Sequence, residues 1–225
     1  MIKAVLIDID NTLLDFNLSA EQAIKKGFKQ FGLSYSDDVF FTFKKVNDML
    51  WRSIEKRELT REELHLNRWN IIFKRLNCVF DGRVFEKQFL SNLDECACKI
   101  DGADDIMKYL SEKYRVFTAS NAPSEQQIKR LKISGLIEYI EKPFISQKIG
   151  YDKPDARFFE ECFKNMQPLL KEEAILIGDS YSADICGGHD YGLKTIWFDF
   201  EKKRKSDKGV ADYKIEKLSE IKRIL

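Results

Sequence analysis

An apolar run, Ala4-Val5-Leu6-Ile7, ends abruptly at Asp8 and Asp10, with Ile9 between them. A run without polar alternation fits a strand covered on both faces of a parallel sheet, because a half-exposed strand would alternate. The period then changes. Ser19 to Gln22 has the form of a capping box, and Ala20, Ala23, Ile24, Gly27 and Phe31 follow on one helical face before Gly32 stops it. A second helix can begin near Ser36, with Phe40, Phe43, Val46, Leu50 and Ile54 at spacings of three and four. Thr60 to Glu63 is another capping box, opening a third helix through Leu64, Ile71 and Ile72, and a fourth is expected from Val84 to about Cys96. No strand signal interrupts this block. Residues 15–98 therefore read as a small antiparallel helical bundle inserted after the first strand, leaving 1–14 and 99–225 as the other part.

Strand and helix alternate again beyond the Asp101-Gly102 turn signal. A helix carrying Ile106, Tyr109 and Leu110 leads to a strand, Arg115 to Ala119, that ends at Ser120 and Asn121. Ser124 to Gln127 reads as the cap of the next helix, and Pro143 to Ser146 as a third strand. Pro154, after Lys153, is placed in the first turn of a helix with Phe158, Phe159, Cys162 and Phe163. Ala174 to Gly178 is a fourth strand ending at Asp179; Thr195 to Phe198 is a fifth, and Tyr213 to Ile215 a short edge. Helical connections between strands specify an α/β fold, a parallel sheet with helices on both faces. Glu201 to Lys208 reads as a charged surface loop.

Composition narrows the function classes. Lys plus Arg number 38 against 37 for Asp plus Glu, a net +1, so no general affinity for nucleic acid or acidic membranes is expected. The N-terminus lacks the segments of a signal peptide and no apolar stretch approaches the ~20 residues of a spanning helix. A cytoplasmic protein is the expectation. Five cysteines without zinc-ribbon spacing read as reduced structural thiols. In open α/β sheets ligands bind where the strands end, and that end receives Asp8, Asp10, Ser120, Asn121 and Asp179. Paired carboxylates in a crevice need a counter-charge, which Mg²⁺ commonly supplies through oxygen ligands.

These pieces, in this order, resemble the haloacid dehalogenase superfamily, and its phosphatase branch in particular. The first motif is matched by Asp8-Ile9-Asp10-Asn11-Thr12, the second by Ser120-Asn121, the third by Lys153, and the fourth by Gly178 to Asp184. Lys153 is preferred over Lys148 because Pro154 follows it. The resemblance covers essentially the whole chain and implies a Rossmann-like core with an inserted all-helical cap. It further implies that Asp8 is the nucleophile, that Asp10 is the general acid and base, and that Ser120, Asn121 and Lys153 bind the substrate phosphate. Asp8, the Asp10 backbone carbonyl and Asp179 would hold Mg²⁺, with Thr12 and Asp184 in support.

The resemblance predicts a Mg²⁺-dependent phosphatase that hydrolyses a small-molecule phosphate monoester through an aspartyl-phosphate. Asn11 in the glycine position, with Thr12 and Leu13, looks like the nucleotidase-type members, so a nucleoside 5′-monophosphate is one candidate substrate. A sugar phosphomutase of the β-phosphoglucomutase type and a phosphate-binding or phospho-aspartate signalling module remain as alternatives. The second aspartate argues for phosphate chemistry over dehalogenation, since only an alkoxide leaving group needs a proton. Selectivity is expected in the cap, where Trp51, Arg52, Arg57, Arg68 and Trp69 could touch substrate, although core or surface duty is the simpler role for each.

Overall fold

A computed structural model describes residues 1–199 and 209–225, so the loop predicted for Glu201 to Lys208 lies outside the described residues. The chain is α/β, as its pattern predicts. Among the described residues six strands form one parallel sheet in the order β3-β2-β1-β4-β5-β6: β1 (Ala4–Ile7), β2 (Arg115–Ser120), β3 (Lys142–Ile145), β4 (Ala174–Gly178), β5 (Lys194–Phe198) and β6 (Tyr213–Ile215). Four helices are inserted between β1 and β2, namely α1 (Phe16–Gln30), α2 (Asp37–Glu55), α3 (Arg61–Arg75) and α4 (Gly82–Leu93). The rest run between or after the strands: α5 (Ala103–Lys113), α6 (Ser124–Ile133), α7 (Ser146–Ile149), α8 (Ala156–Lys164) and α9 (Gly187–Tyr191). Two compact units result, Met1–Asp15 with Cys98–Leu225, and Phe16–Ala97.

In the sheet unit, successive residues of β1 point to opposite faces and all are buried. Val5 and Ile7 join Ile106, Met107 and Leu110 of α5, whereas Ala4 and Leu6 join Phe158, Phe159 and Cys162 of α8. That double burial is why β1 shows no alternation. It sits between β2 and β4 in matched register, Leu6 opposite both Phe117 and Leu176, so the loops after all three strands open at the same end.

The helical unit has its own core. Trp69 is fully buried, with Phe85 at 4.2 Å and Phe28, Phe43, Phe73 and Phe89 around it. Helices α3 and α4 approach so closely that a Cβ on Gly82 would lie 2.3 Å from the Asn70 amide nitrogen. Arg68 is buried beside Trp69 and forks onto Glu86, with Nε–Oε2 3.1 Å and Nη2–Oε1 2.5 Å, and donates to Asn47 at 2.8 Å. Arg68 and Trp69 thus belong to the bundle interior, while Arg52 and Arg57 are exposed and Trp51 is half-buried.

Three predicted helix starts moved. Helix α1 begins at Phe16, whose ring stacks on Phe43 at 6.5 Å, and Ser19 is fully buried inside the helix rather than capping it. Helix α6 has Pro123 at its N-cap; the Ser124 amide donates to Gln147 Oε1 at 2.7 Å, and no Ser124–Gln127 capping box forms. Pro154 lies outside α8, whose N-cap is Asp155, its carboxylate accepting from the Arg157 amide at 3.0 Å. The Thr60–Glu63 capping box of α3 is present as expected. None of the five cysteines forms a disulfide, and among the described residues no helix is long and apolar enough to cross a membrane.

Candidate active site

The turn after β1 presents the first two carboxylates. Leu13 and Leu14 both return their amides to the Ile9 carbonyl, and Asn11 stands at φ 61°, a left-handed conformation that asparagine and glycine tolerate best. The backbone therefore accounts for asparagine at that position. Thr12 is fully buried, and its hydroxyl finds no hydrogen-bond partner among the described residues.

Asp8 is buried at the end of β1 with its amide still in the ladder, bonded to the Ile177 carbonyl at 2.8 Å. Oxygens of Asp8, Asp179 and Asp184 lie within 4.8 Å of one another. Lys153 Nζ enters this group with 2 % of its side chain exposed, donating to Asp8 Oδ1 at 2.9 Å, to Asp184 Oδ1 at 2.6 Å and to the Ala119 carbonyl. Lys148, the other lysine considered, is exposed on α7. Asp184 belongs to a single π-helical turn, Tyr181–Cys186, and its second oxygen accepts from the Ser180 amide at 3.0 Å. Gly178 is required there, since a Cβ would meet Asp184 Cγ at 2.3 Å.

Asp8 and Asp184 are buried and Asp179 is half-buried, and all three offer hard carboxylate oxygens. That set fits a divalent cation such as Mg²⁺. Both oxygens of Asp184 hold donors, Lys153 on one and the Ser180 amide on the other.

The electrostatics follow. Burial pushes the Asp8 carboxyl from the ordinary 3.8 up to about 7, against the pull of Lys153 and with help from Asp184 and Asp10. Burial alone would lower the Lys153 ammonium, but Asp184 and Asp8 outweigh it and hold it above its usual value. A carboxyl raised on folding contributes stability at low pH and loses it as pH climbs from 3.8 through about 7. In excess chelator, wild-type stability measured by urea unfolding should decline across that window. Asp8→Asn, which removes the titrating group, should decline less; equal slopes would show that Asp8 is not protonated on folding.

The other predicted residues fall into two arrangements. The Asn121 side chain clamps the Lys153 backbone, accepting from its amide at 2.8 Å and donating to its carbonyl at 2.7 Å. Ser120, at the end of β2, is buried and accepts from Gln127 Nε2 at 3.0 Å. Since Gln127 donates, the Ser120 hydroxyl proton is available for an oxygen in the crevice. The Asp10 carboxylate is not among the three clustered aspartates. It turns instead to α6, where Arg130 Nη1 donates to Oδ1 at 2.5 Å and Gln127 Nε2 to Oδ2.

Gln127 and Arg130 are absent from the residues expected on sequence alone. Their signal is the spacing of two long polar side chains, three apart, on the helix that follows Ser120 and Asn121.

A parallel sheet whose strand ends gather an aspartate cluster, a buried lysine and a serine, with a helical unit inserted after the first strand, defines a hydrolase of the haloacid dehalogenase-like class. The model of that family matches residues 2–192, and the chain belongs to it. Among its relatives, the HAD-family protein YfnB of Bacillus subtilis is 31% identical over 223 residues, 99% of this chain and 95% of YfnB. The crystal structure of YfnB, bound to magnesium and revealing interdomain movement, matches with a TM-score of 0.94 and covers 100% of this chain and 98% of that one. Pyrimidine 5′-nucleotidase PynA of Streptococcus pneumoniae is 32% identical over 197 residues, 87% of this chain and 83% of PynA. Glyceraldehyde 3-phosphate phosphatase of Pyrococcus furiosus is 27% identical over 242 residues, 100% of this chain and 93% of that protein.

Proposed function

We propose that this chain is a Mg²⁺-dependent phosphomonoesterase acting on a small phosphorylated metabolite, with a nucleoside 5′-monophosphate of the pyrimidine series as the first candidate. The observation that carries this reading is the division of labour among carboxylates: Asp8, Asp179 and Asp184 cluster, with Lys153 on Asp8 and Asp184, while Asp10 is held by Arg130 of α6. A nucleophile and a proton-transfer group need this separation, because they act on opposite ends of the bond that breaks. Kinship with PynA supports the nucleotide candidate, and kinship with the Pyrococcus furiosus enzyme places triose phosphates on the substrate panel.

In this reading an Asp8 oxygen attacks phosphorus, the bond to the leaving oxygen breaks, and Asp10 gives that oxygen a proton. Asp10 then takes a proton from water, which attacks the phosphoryl group on Asp8 and releases inorganic phosphate. Ser120, the Asn121 backbone amide and Lys153 hold the phosphoryl oxygens, whose charge is greatest in the transition state. Mg²⁺ on Asp8, the Asp10 carbonyl and Asp179, when bound, would offset the repulsion between a carboxylate and an anionic ester.

Phosphate release from nucleoside 5′-monophosphates, sugar phosphates and glyceraldehyde 3-phosphate tests the proposal. Release should fall to background in excess chelator and return with Mg²⁺, and Asp179→Asn should raise the Mg²⁺ concentration required without changing the fold. Undiminished hydrolysis in chelator, or return of the phosphoryl group to the sugar without release, would count against it.

A further inference from the structure

The Asp10 side chain is 26 % exposed, whereas Arg130 behind it is 0 % exposed, so the guanidinium approaches from the protein interior and leaves the other side of the carboxylate open. Each Asp10 oxygen has its own donor: Arg130 Nη1 on Oδ1 at 2.5 Å, and Gln127 Nε2 on Oδ2. The two donors are themselves tied, Arg130 Nη1 to Gln127 Oε1 at 3.3 Å. The orientation of the Gln127 amide follows from its neighbours, since a flipped amide would set oxygen against the carboxylate and nitrogen against the guanidinium. Gln127 also donates to Ser120 Oγ at 3.0 Å, and therefore touches two of the groups assigned to the reaction.

Two donors on two oxygens fix both the position and the plane of a carboxylate, which a single bond would leave free to rotate. A carboxylate has about four acceptor positions, so two remain for a proton or a water. Arginine suits the buried place because its guanidinium stays charged and is more weakly hydrated than an ammonium.

We propose that Arg130 and Gln127 are positioning residues that aim the Asp10 carboxylate at the leaving oxygen and hold it in register with Ser120. The inference rests on the acid/base role of Asp10 in the proposed function. Both residues donate to the Asp10 side chain, so their effect falls on proton transfer.

Rapid-quench measurement of phosphoryl-enzyme formation with phenyl phosphate and p-nitrophenyl phosphate tests this. Phenolate needs protonation more than nitrophenolate. Gln127→Leu and Arg130→Lys should slow the phenyl ester by ~10²-fold, the cost of misplacing a reacting group by about 1 Å. The nitrophenyl ester should lose less than ~10-fold, because proton transfer matters less to it. For Arg130→Lys, KM and the Mg²⁺ concentration for half-activity should stay near wild type, whereas Gln127→Leu also removes the donor on Ser120 and should raise KM. Adding either substitution to Asp10→Asn should cost less than ~3-fold more, since residues that act through one group are not additive. Arg130→Lys keeps a buried cation and provides the comparison if Gln127→Leu fails to fold. Equal losses for both esters, or losses that add to Asp10→Asn, would overturn the proposal. A flat leaving-group response in Asp10→Asn itself would overturn it along with the acid/base role, which distinguishes the two failures.

Discussion

Replacing Asp8 with asparagine is expected to abolish turnover, with a loss of ~10⁴-fold or more, as for removal of other enzymic nucleophiles. Asparagine keeps the shape and one acceptor oxygen, so Lys153 retains a partner at the position it now holds 2.9 Å from Asp8 Oδ1. What disappears is the anionic oxygen that bonds to phosphorus in the proposed reaction. No acid-labile phosphoryl-enzyme should form with any ester. Asp10→Asn should differ in kind: loss of proton transfer costs typically ~10²–10⁴-fold, and less for activated esters. Its second step still lacks a base for water, so phosphorylated Asp8 should accumulate from p-nitrophenyl phosphate. Quenched-flow labelling decides between the two, and equal loss of phosphoryl-enzyme in both variants would show the roles to be misassigned.

The second large effect is expected at Lys153. Its ammonium donates to two buried carboxylates and to the Ala119 carbonyl, so Lys153→Met leaves Asp8 and Asp184 facing each other without their cation. Breaking a buried pair on one side costs about 3–5 kcal/mol, because the remaining charge stays buried and uncompensated. Urea unfolding in chelator should register that loss. Activity should fall by ~10²–10³-fold even at saturating Mg²⁺, the usual cost of removing one donor from a site of developing charge. Lys153→Arg should not restore it, since a planar guanidinium does not fit the place of a compact ammonium that is only 2 % exposed. Wild-type stability in Lys153→Met would mean that the two carboxylates are neutral there.

Much of this was legible in the sequence because burial and chemistry left separate marks. The uninterrupted Ala4–Ile7 run announces a strand buried on both faces, and carboxylates set directly after such a strand have no structural reason to be there. Lys153 was harder. A proline suggested a helix start, yet the helix begins beyond it at Ala156 with Asp155 as its cap. What distinguishes Lys153 from exposed Lys148 is a clamp by Asn121, a contact across 32 positions that no local pattern records. Gln127 went unrecognised for the opposite reason. Ser124 to Gln127 imitates a capping box, but Gln147 already supplies the Ser124 amide with an acceptor, so the Gln127 side chain serves Asp10 and Ser120 instead. Arg68 and Trp69 show the same limit. An amphipathic helix indicates which face is buried, not that a cation on that face will find Glu86 across 18 residues.

The stem of the helical insertion has a consequence for how such enzymes diversify. The Asp15 amide bonds to the Cys98 carbonyl at 2.8 Å and Leu14 bridges Lys99, so the chain leaves the sheet unit and returns to it at adjacent points. Everything between those points shares a hydrophobic core of its own. An insertion whose ends already meet can be lengthened, replaced or reshuffled without repositioning β1 or β2, much as a module is exchanged on a fixed socket. Lineages can therefore alter the helical unit while Asp8, Lys153 and Asp179 stay where the sheet holds them.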